Sequence, residues 1–334
     1  MPASQYRIFS IILFGVFFLI FFVIILRRAW LGDDAYITFR TVDNFINGYR
    51  LTWNAAERVQ AYTHPLWMFL ISFFYFFTRE MYFTVIFISL ALSTAAVLLL
   101  VLQLSKSITA SILGVLILTV SNAFVDYATS GLENPLTHLL LAVFLIIYFN
   151  KEITPKTLFF LSITASLAAL NRLDSILIFA PALLYAWFLS EDKKKGFLLL
   201  VLGQVPIFAW EIFSLLYYGF LFPNTAYAKL NTGISSLELI KQGGYYLLNS
   251  LQKDTITLVV VMAGMVLALK SGDRRAKIPV VLGMLLYMAY VVKVGGCFMS
   301  GRFFTPVLFC AVALTLRFDL SNFKAGAITA IFGG

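Results

Sequence analysis

Two adjacent acids, Asp33 and Asp34, directly follow the apolar run 8–26 and its polar end at Arg27 and Arg28. A carboxylate held beside a second carboxylate at the edge of an apolar phase is placed to act as a general base on a hydroxyl. The same residue type also caps helix amino termini and complements the helix dipole, so the pair has two uses on spacing alone. The stretch from Asp33 to Ile46 has helical periodicity and ends at Asn47 and Gly48. At about 100° per residue, Asp33, Tyr36, Arg40, Asp43 and Asn44 share one side, and Ala35, Phe39, Val42 and Ile46 share the other. That pattern predicts a helix lying at a membrane interface with its polar side turned to a cavity.

Further polar groups follow in the same loop: Trp53, Asn54, Glu57, Arg58, Tyr62, Thr63, His64, Pro65 and Trp67. Aromatic platforms mixed with hydrogen-bonding groups suit sugars, and the same types form aromatic belts at bilayer surfaces. His64 could bind phosphate or assist proton transfer, or be an ordinary hydrogen-bonded histidine at the interface. Three cations elsewhere fit an anionic headgroup: Lys229 after FPNTAYAK, Arg172 with Asp174, and Arg302 after GGCFMSGR. Snorkelling or loop ion pairing is the plainer use of each. Glu133 in TSGLENPL stands where it could cap the helix beginning near Pro135, with substrate binding as the other use.

The elements that must position these groups follow from composition. Hydrophobic residues make up 61% of the 334 and charged residues 12%, about half the charged share of a soluble domain. Apolar runs long enough for a bilayer core recur throughout. The fold expected is an all-α polytopic membrane protein forming one module over 1–334, with about eleven spans. These run roughly 8–28, 81–104, 107–121, 135–150, 157–171, 175–190, 196–217, 254–270, 277–292, 303–316 and 325 onward. The segment Pro65 to Phe77 is too short for a span and reads as interfacial or re-entrant, inside a first outer loop of about 31–80.

With that segment not crossing, Lys106, Lys151, Lys156, Lys193 to Lys195, Lys270 to Lys277, Arg317 and Lys324 share one face, cytoplasmic by the positive-inside bias. The loops left outside hold nearly every unusual polar residue. The formal charge of +9 is accounted for by orientation and anionic lipid, which argues against nucleic acid as a partner. The first apolar run has no small-residue cleavage site after it, so it reads as an uncleaved span. Cys297 and Cys310 have neither disulfide nor metal spacing.

Five ordered strings carry a resemblance: DDAYITFR at 33–40, LTWNAAERVQAYTHPLW at 51–67, TSGLENPL at 129–136, YYGFLFPNTAYAK at 217–229 and GGCFMSGRFFTP at 295–306. Together they resemble the GT-C glycosyltransferases related to the actinobacterial terminal beta-1,2-arabinofuranosyltransferase. The resemblance implies a GT-C-type helical bundle in a bacterial plasma membrane with its active site on the extracytoplasmic face. The implied reaction takes a sugar from a polyprenyl-phosphate donor and places it, with inversion, on an extracytoplasmic glycan, lipid or protein acceptor. The family's first-loop aspartate is its base, which falls here on the Asp33 and Asp34 pair. Asp33 is favoured because it starts the polar side; Asp34 would orient the acceptor or hold a divalent cation, Mg or Mn.

By the same resemblance, His64, Lys229, Arg302 and Arg172 are expected at the donor phosphate. Tyr36, Arg40, Trp53, Asn54, Glu57, Arg58, Tyr62, Glu133, Asp174 and Asn224 are expected around the substrates. The family's GGDFMPGR string reads here with Cys297 and Ser300, and its Arg-Pro-Asp string with Leu173 in the middle. Larger members carry a further carboxyl-terminal domain, so a missing carboxyl-terminal part is expected. Two alternatives stay open: a transporter or flippase, for which Glu211 is the mid-span candidate, and a polysaccharide ligase acting on lipid diphosphates.

Overall fold

A computed structural model of the chain describes residues 3–230 and 233–318, with side chains at 8–227 and 233–318. The expected span from 325 onward and the side chain of Lys229 lie outside the described residues. All regular structure among the described residues is helical: α1 Ala3–Arg27, α2 Asp33–Ile46, α3 Pro65–Thr78, α4 Met81–Gln103, α5 Ile108–Val120, α6 Asn122–Asp126, α7 Asn134–Asn150 and α8 Pro155–Asn171. The second half gives α9 Ile176–Leu189, α10 Lys193–Gly203, α11 Val205–Tyr218, α12 Asn224–Leu230, α13 Ser236–Lys253, α14 Thr255–Lys270, α15 Arg274–Lys293 and α16 Thr305–Leu316.

Side-chain caps set many of the starts. Glu80 accepts from the N–H groups of Tyr82, Phe83 and Thr84, and Ser107, Thr154, Asp192, Ser235 and Asp254 do the same service for α5, α8, α10, α13 and α14. Proline at the first turn of α3, α7, α8, α11 and α16 supplies a preset φ where no intrahelical N–H is needed.

By length and composition α1 (from Ile8), α4 and α15 can each cross a membrane. Two broken pairs, α10 with α11 (bent 45°) and α13 with α14 (bent 105°), raise the number to five. The shorter apolar helices have 10–17 residues, or about 15–26 Å at 1.5 Å per residue, less than a hydrocarbon core of about 30 Å. The count of eleven is therefore not reached on length. The run 196–217 is not one helix, because Gln204 ends α10 and Pro206 restarts the chain as α11. The outer segment 217–253 holds α12 and α13, where a loop was expected.

The core is built around α16, whose side chains are all buried except that of Thr315. It packs on α5, α7, α14 and α15, while α4 lies along α7, α8 along α10 and α9 along α15. With lipid as the solvent, close backbone approach replaces hydrophobic exclusion as the adhesive between helices. Gly264 of α14 shows it: a Cβ there would stand 2.8 Å from the carbonyl oxygen of Ala311. A second apolar cluster joins α2 and α3 to α11 through Val42, Tyr62, Trp67, Ile71, Trp210 and Tyr218.

Candidate active site

The loop from Tyr127 to Glu133 is drawn tightly onto the start of α2. The Gly32 N–H donates to the Ser130 carbonyl at 2.9 Å, and the Trp67 indole N–H donates to the Gly131 carbonyl at 2.9 Å. Gly131 has φ +77°, and a Cβ there would come within 2.9 Å of the Ala35 Cβ. Both conditions call for glycine. This folding drives Glu133, the last residue of the loop, into the interior at 1% exposure.

Glu133 precedes α7 as expected, but its side chain does not cap that helix. Instead its carboxylate is the hub of an ion cluster. Arg302 Nη2 donates to both carboxylate oxygens at 2.9 Å, and Arg172 Nη1 donates to Oε1 at 2.8 Å. Arg172 also forks onto Asp174 at 2.7 and 2.8 Å. The planar guanidinium matches a carboxylate in this two-point manner. The Phe303 ring lies against both cations, 4.3 Å from Arg172 and 5.8 Å from Arg302. Asn171 adds an amide donated to the Glu133 carbonyl at 3.0 Å.

His64 completes the cluster, its Nδ1 3.4 Å from Glu133 and its Nε2 2.7 Å from Thr38 Oγ1. Burial, together with Arg302 and Arg172 and against the attraction of Glu133, takes the imidazole down to about 4, so it is neutral near pH 7. For Glu133, burial pushes toward protonation, but Arg302, Arg172 and His64 outweigh it and hold the carboxyl well below its usual range. Two acids and two arginines thus balance with little access to water. One donor is left over: Arg302 Nε is buried without a partner among the described residues.

The acid pair stands in the first turn of α2, the helix whose Thr38 bonds His64 of this cluster. Asp33 is exposed, and one of its oxygens accepts the N–H of Asp34 at 2.9 Å. Asp34 is half-buried and lies one helical turn before Thr38. The amphipathic division holds, with Ala35, Phe39 and Val42 buried beneath exposed Tyr36 and Arg40. Successive helical positions turn the two carboxylates about 100° apart, and no group of three His, Cys, Asp or Glu able to hold a metal ion occurs among the described residues. The pair alone does not make a chelating set for the divalent cation considered for Asp34.

The remaining expected site residues form a rim. Arg40 donates to the Trp53 carbonyl at 3.0 Å and lies over its ring at 5.1 Å. Asn54 pairs with Glu57 at 2.6 Å, and Arg58 lies over the Tyr217 ring at 5.1 Å. Tyr62 is buried, its hydroxyl 3.0 Å from that of Tyr218, which donates to the Leu51 carbonyl at 2.7 Å. Asn224 meets the rim through its backbone N–H, 3.3 Å from the Gln60 carbonyl. Beside this region an apolar groove of about 310 Å³ is lined by Leu51, Phe69, Leu170, Pro206, Trp210 and Phe213, and Leu170 is two residues before Arg172.

Sequence reasoning missed Thr38, Asn171 and Phe303. Thr38 carried a signal, since it falls on the buried side of α2 and a buried hydroxyl needs a partner.

The fold and the site together define an all-helical, membrane-directed protein with a compensated ion cluster tied through Thr38 and His64 to a helix that begins with two acids. The chain is 27% identical over 330 residues to the terminal beta-(1->2)-arabinofuranosyltransferase of Mycobacterium tuberculosis, covering 86% of this chain and 52% of that one. It is 27% identical over 338 residues to the protein of the same name from Corynebacterium glutamicum, covering 84% and 47%. It therefore spans about half the length of these curated relatives. No family model matches the chain.

Proposed function

We propose that this chain is a membrane-bound inverting glycosyltransferase that takes a sugar from a polyprenyl-phosphate donor and places it on an extracytoplasmic hydroxyl acceptor, a glycan, lipid or protein. The observation that carries the reading is a helix that begins with two acids and is tied, through Thr38 and His64, to a buried cluster of arginines. The similarity to two arabinofuranosyltransferases supports a pentose as the first sugar to try. The groove beside Leu170 suits the apolar tail of such a donor. The bundle of eleven crossings and its outward-facing site belong to this proposal.

Asp33 takes the proton of the acceptor hydroxyl while that oxygen attacks C1 of the sugar, and the bond from C1 to the phosphate oxygen breaks on the opposite side. The contact to the Asp34 N–H occupies one Asp33 oxygen and leaves the other for the proton. The departing phosphate is already a stable anion, so cations rather than an acid serve it. The unpartnered Arg302 Nε, with Arg172 and Lys229 near it in role, supplies that electrostatic support. Tyr36, Arg40, Trp53, Asn54, Glu57 and Arg58 surround the sugars.

The test uses the purified full chain in lipid nanodiscs with polyprenyl monophosphate and diphosphate sugars, an arabinofuranosyl donor first. Asp33→Asn should lower transfer at least about 100-fold, and Asp34→Asn by less, with both variants folded. Full activity in both would reject the base assignment, and turnover with the diphosphate alone would favour a ligase. The bent pair α10 and α11, whose second helix carries Glu211 with an Oε2 that has no partner among the described residues, favours a flippase as second reading; movement of lipid-linked sugar across the bilayer without transfer would support it.

A further inference from the structure

Resting on that reading, we propose that Glu133, His64 and Thr38 form a directional polar relay, an anion facing the imidazole and the imidazole hydrogen-bonded to a hydroxyl, that positions α2 and its acid pair, with His64 serving as a positioning residue rather than a ligand of the donor phosphate.

The direction follows from the ends of the chain. Glu133 is an anion paired with Arg302 and Arg172, so its oxygens only accept. His64 Nδ1 lies 3.4 Å from Oε2, and an anion at that distance favours the ring proton on this nitrogen. A neutral ring with its proton on Nδ1 leaves Nε2 bare, and the Thr38 hydroxyl, 2.7 Å away, must donate to it. In this tautomer the Thr63 hydroxyl oxygen, 3.4 Å from Nδ1, accepts the ring N–H, and Glu133 stabilises the proton through its charge. The charged groups facing the ring are Glu133, Arg302 and Arg172, with Asp174 behind Arg172.

The relay is the third of three ties between the 130–133 loop and α2. The first is the Gly32 N–H on the Ser130 carbonyl, and the second is Ala35 packed against Gly131. The ties fall at residues 32, 35 and 38, one per turn along the face opposite the exposed acid. They fix both the axial position and the rotation of the first turns of α2. Thr38, His64 and Glu133 are each at most 6% exposed, so an incoming substrate does not compete for these bonds with water's help. A helix that carries a base must hold it to within a fraction of an ångström, since a misplacement of about 1 Å can cost about 100-fold in rate.

Two measurements test the proposal. In the nanodisc assay, Thr38→Val should lower kcat roughly 10- to 100-fold with the KM for donor unchanged, and Thr38→Ser should restore it. Wild-type kcat in Thr38→Val, or no rescue by Thr38→Ser, would overturn the positioning role. Independently of activity, histidine-15N spectra of the wild-type protein report the tautomer, and the chain has only two histidines, told apart by the signal lost in His64→Gln. A protonated Nδ1 and a bare Nε2 at neutral pH support the relay; a bare Nδ1 or a doubly protonated ring overturns it. If no polyprenyl-phosphate sugar is turned over by the wild type while the tautomer is as stated, the proposed function fails and the relay stands.

Discussion

Two buried cations at opposite ends of α16 are handled in opposite ways. Lys277 of α15, at the carboxyl end of α16, is fully buried, but its counter-ion Asp273 is 43% exposed at 2.7 Å, and the ammonium also reaches the Arg317 carbonyl at 3.4 Å. Arg302, just before the start of α16, is paired with Glu133 at 1% exposure, inside a cluster that also contains Arg172, Asp174 and His64. The first arrangement keeps one charge in contact with water and behaves as a helix-end anchor. The second removes both partners from water, which is costly unless every charge is matched and hydrogen-bonded. A fold that needed only an anchor would use the first device twice. The buried cluster is therefore the arrangement that calls for a reason beyond stability.

The largest break in this comparison comes from Glu133→Gln, which keeps the shape and removes the charge. Arg302 and Arg172 then lose the carboxylate they share, leaving buried positive charge that the Asp174 pair offsets only in part. The cost of uncompensated buried charge is about 3–5 kcal/mol. A lowered thermal midpoint of the detergent-purified protein, or loss of monodisperse protein altogether, is the expected result. An unchanged midpoint would show that the cluster is not a stability-critical unit and would remove the contrast with Lys277.

Acid should find the same pole next. The folded His64 sits at about 4 against an ordinary value near 6.5, so between those limits the unfolded chain binds more protons than the folded one. Stability therefore rises with pH across that window and falls as the pH is lowered through it. The depressed Glu133 carboxyl adds stability that is present above the ordinary carboxylate value and lost below it. Thermal midpoints should drop between pH 7 and pH 5, and His64→Gln should flatten that slope. A pH-independent midpoint in the wild type would contradict a buried neutral imidazole.

How much of this was legible in the sequence depended on whether the signal was local. The division of α2 into a polar and an apolar side follows from residues a few positions apart, and the structure has Ala35, Phe39 and Val42 buried as their spacing indicated. The apolar runs and the start of α7 near Pro135 were legible for the same reason. Glu133 was misread as a cap because its neighbours Asn134 and Pro135 mark a helix start, while its partners Arg172 and Arg302 are distant in sequence and meet it only through tertiary packing. Thr38 lay hidden between more conspicuous residues of DDAYITFR. The helix α13 was missed because two glycines, Gly243 and Gly244, interrupt its pattern; Gly243 is there for contact, its Cβ direction being filled by the backbone of Val292.

The smallest expected effect sharpens the comparison from the other pole. In Lys277→Met a flexible apolar chain of similar length replaces a buried ammonium, so the cost of keeping that charge out of water disappears together with its ion pair. Asp273 is left with water in reach, and the Arg317 carbonyl loses only a long contact. Exposed and half-exposed pairs contribute about 0–1 kcal/mol, and replacement of a buried charge by a packed apolar group is often neutral. The thermal midpoint of Lys277→Met should therefore stay within a few degrees of the wild type under conditions where Glu133→Gln loses far more. A drop as large as that of Glu133→Gln would mean that Lys277 belongs to a second compensated centre and that water at Asp273 does not make the difference.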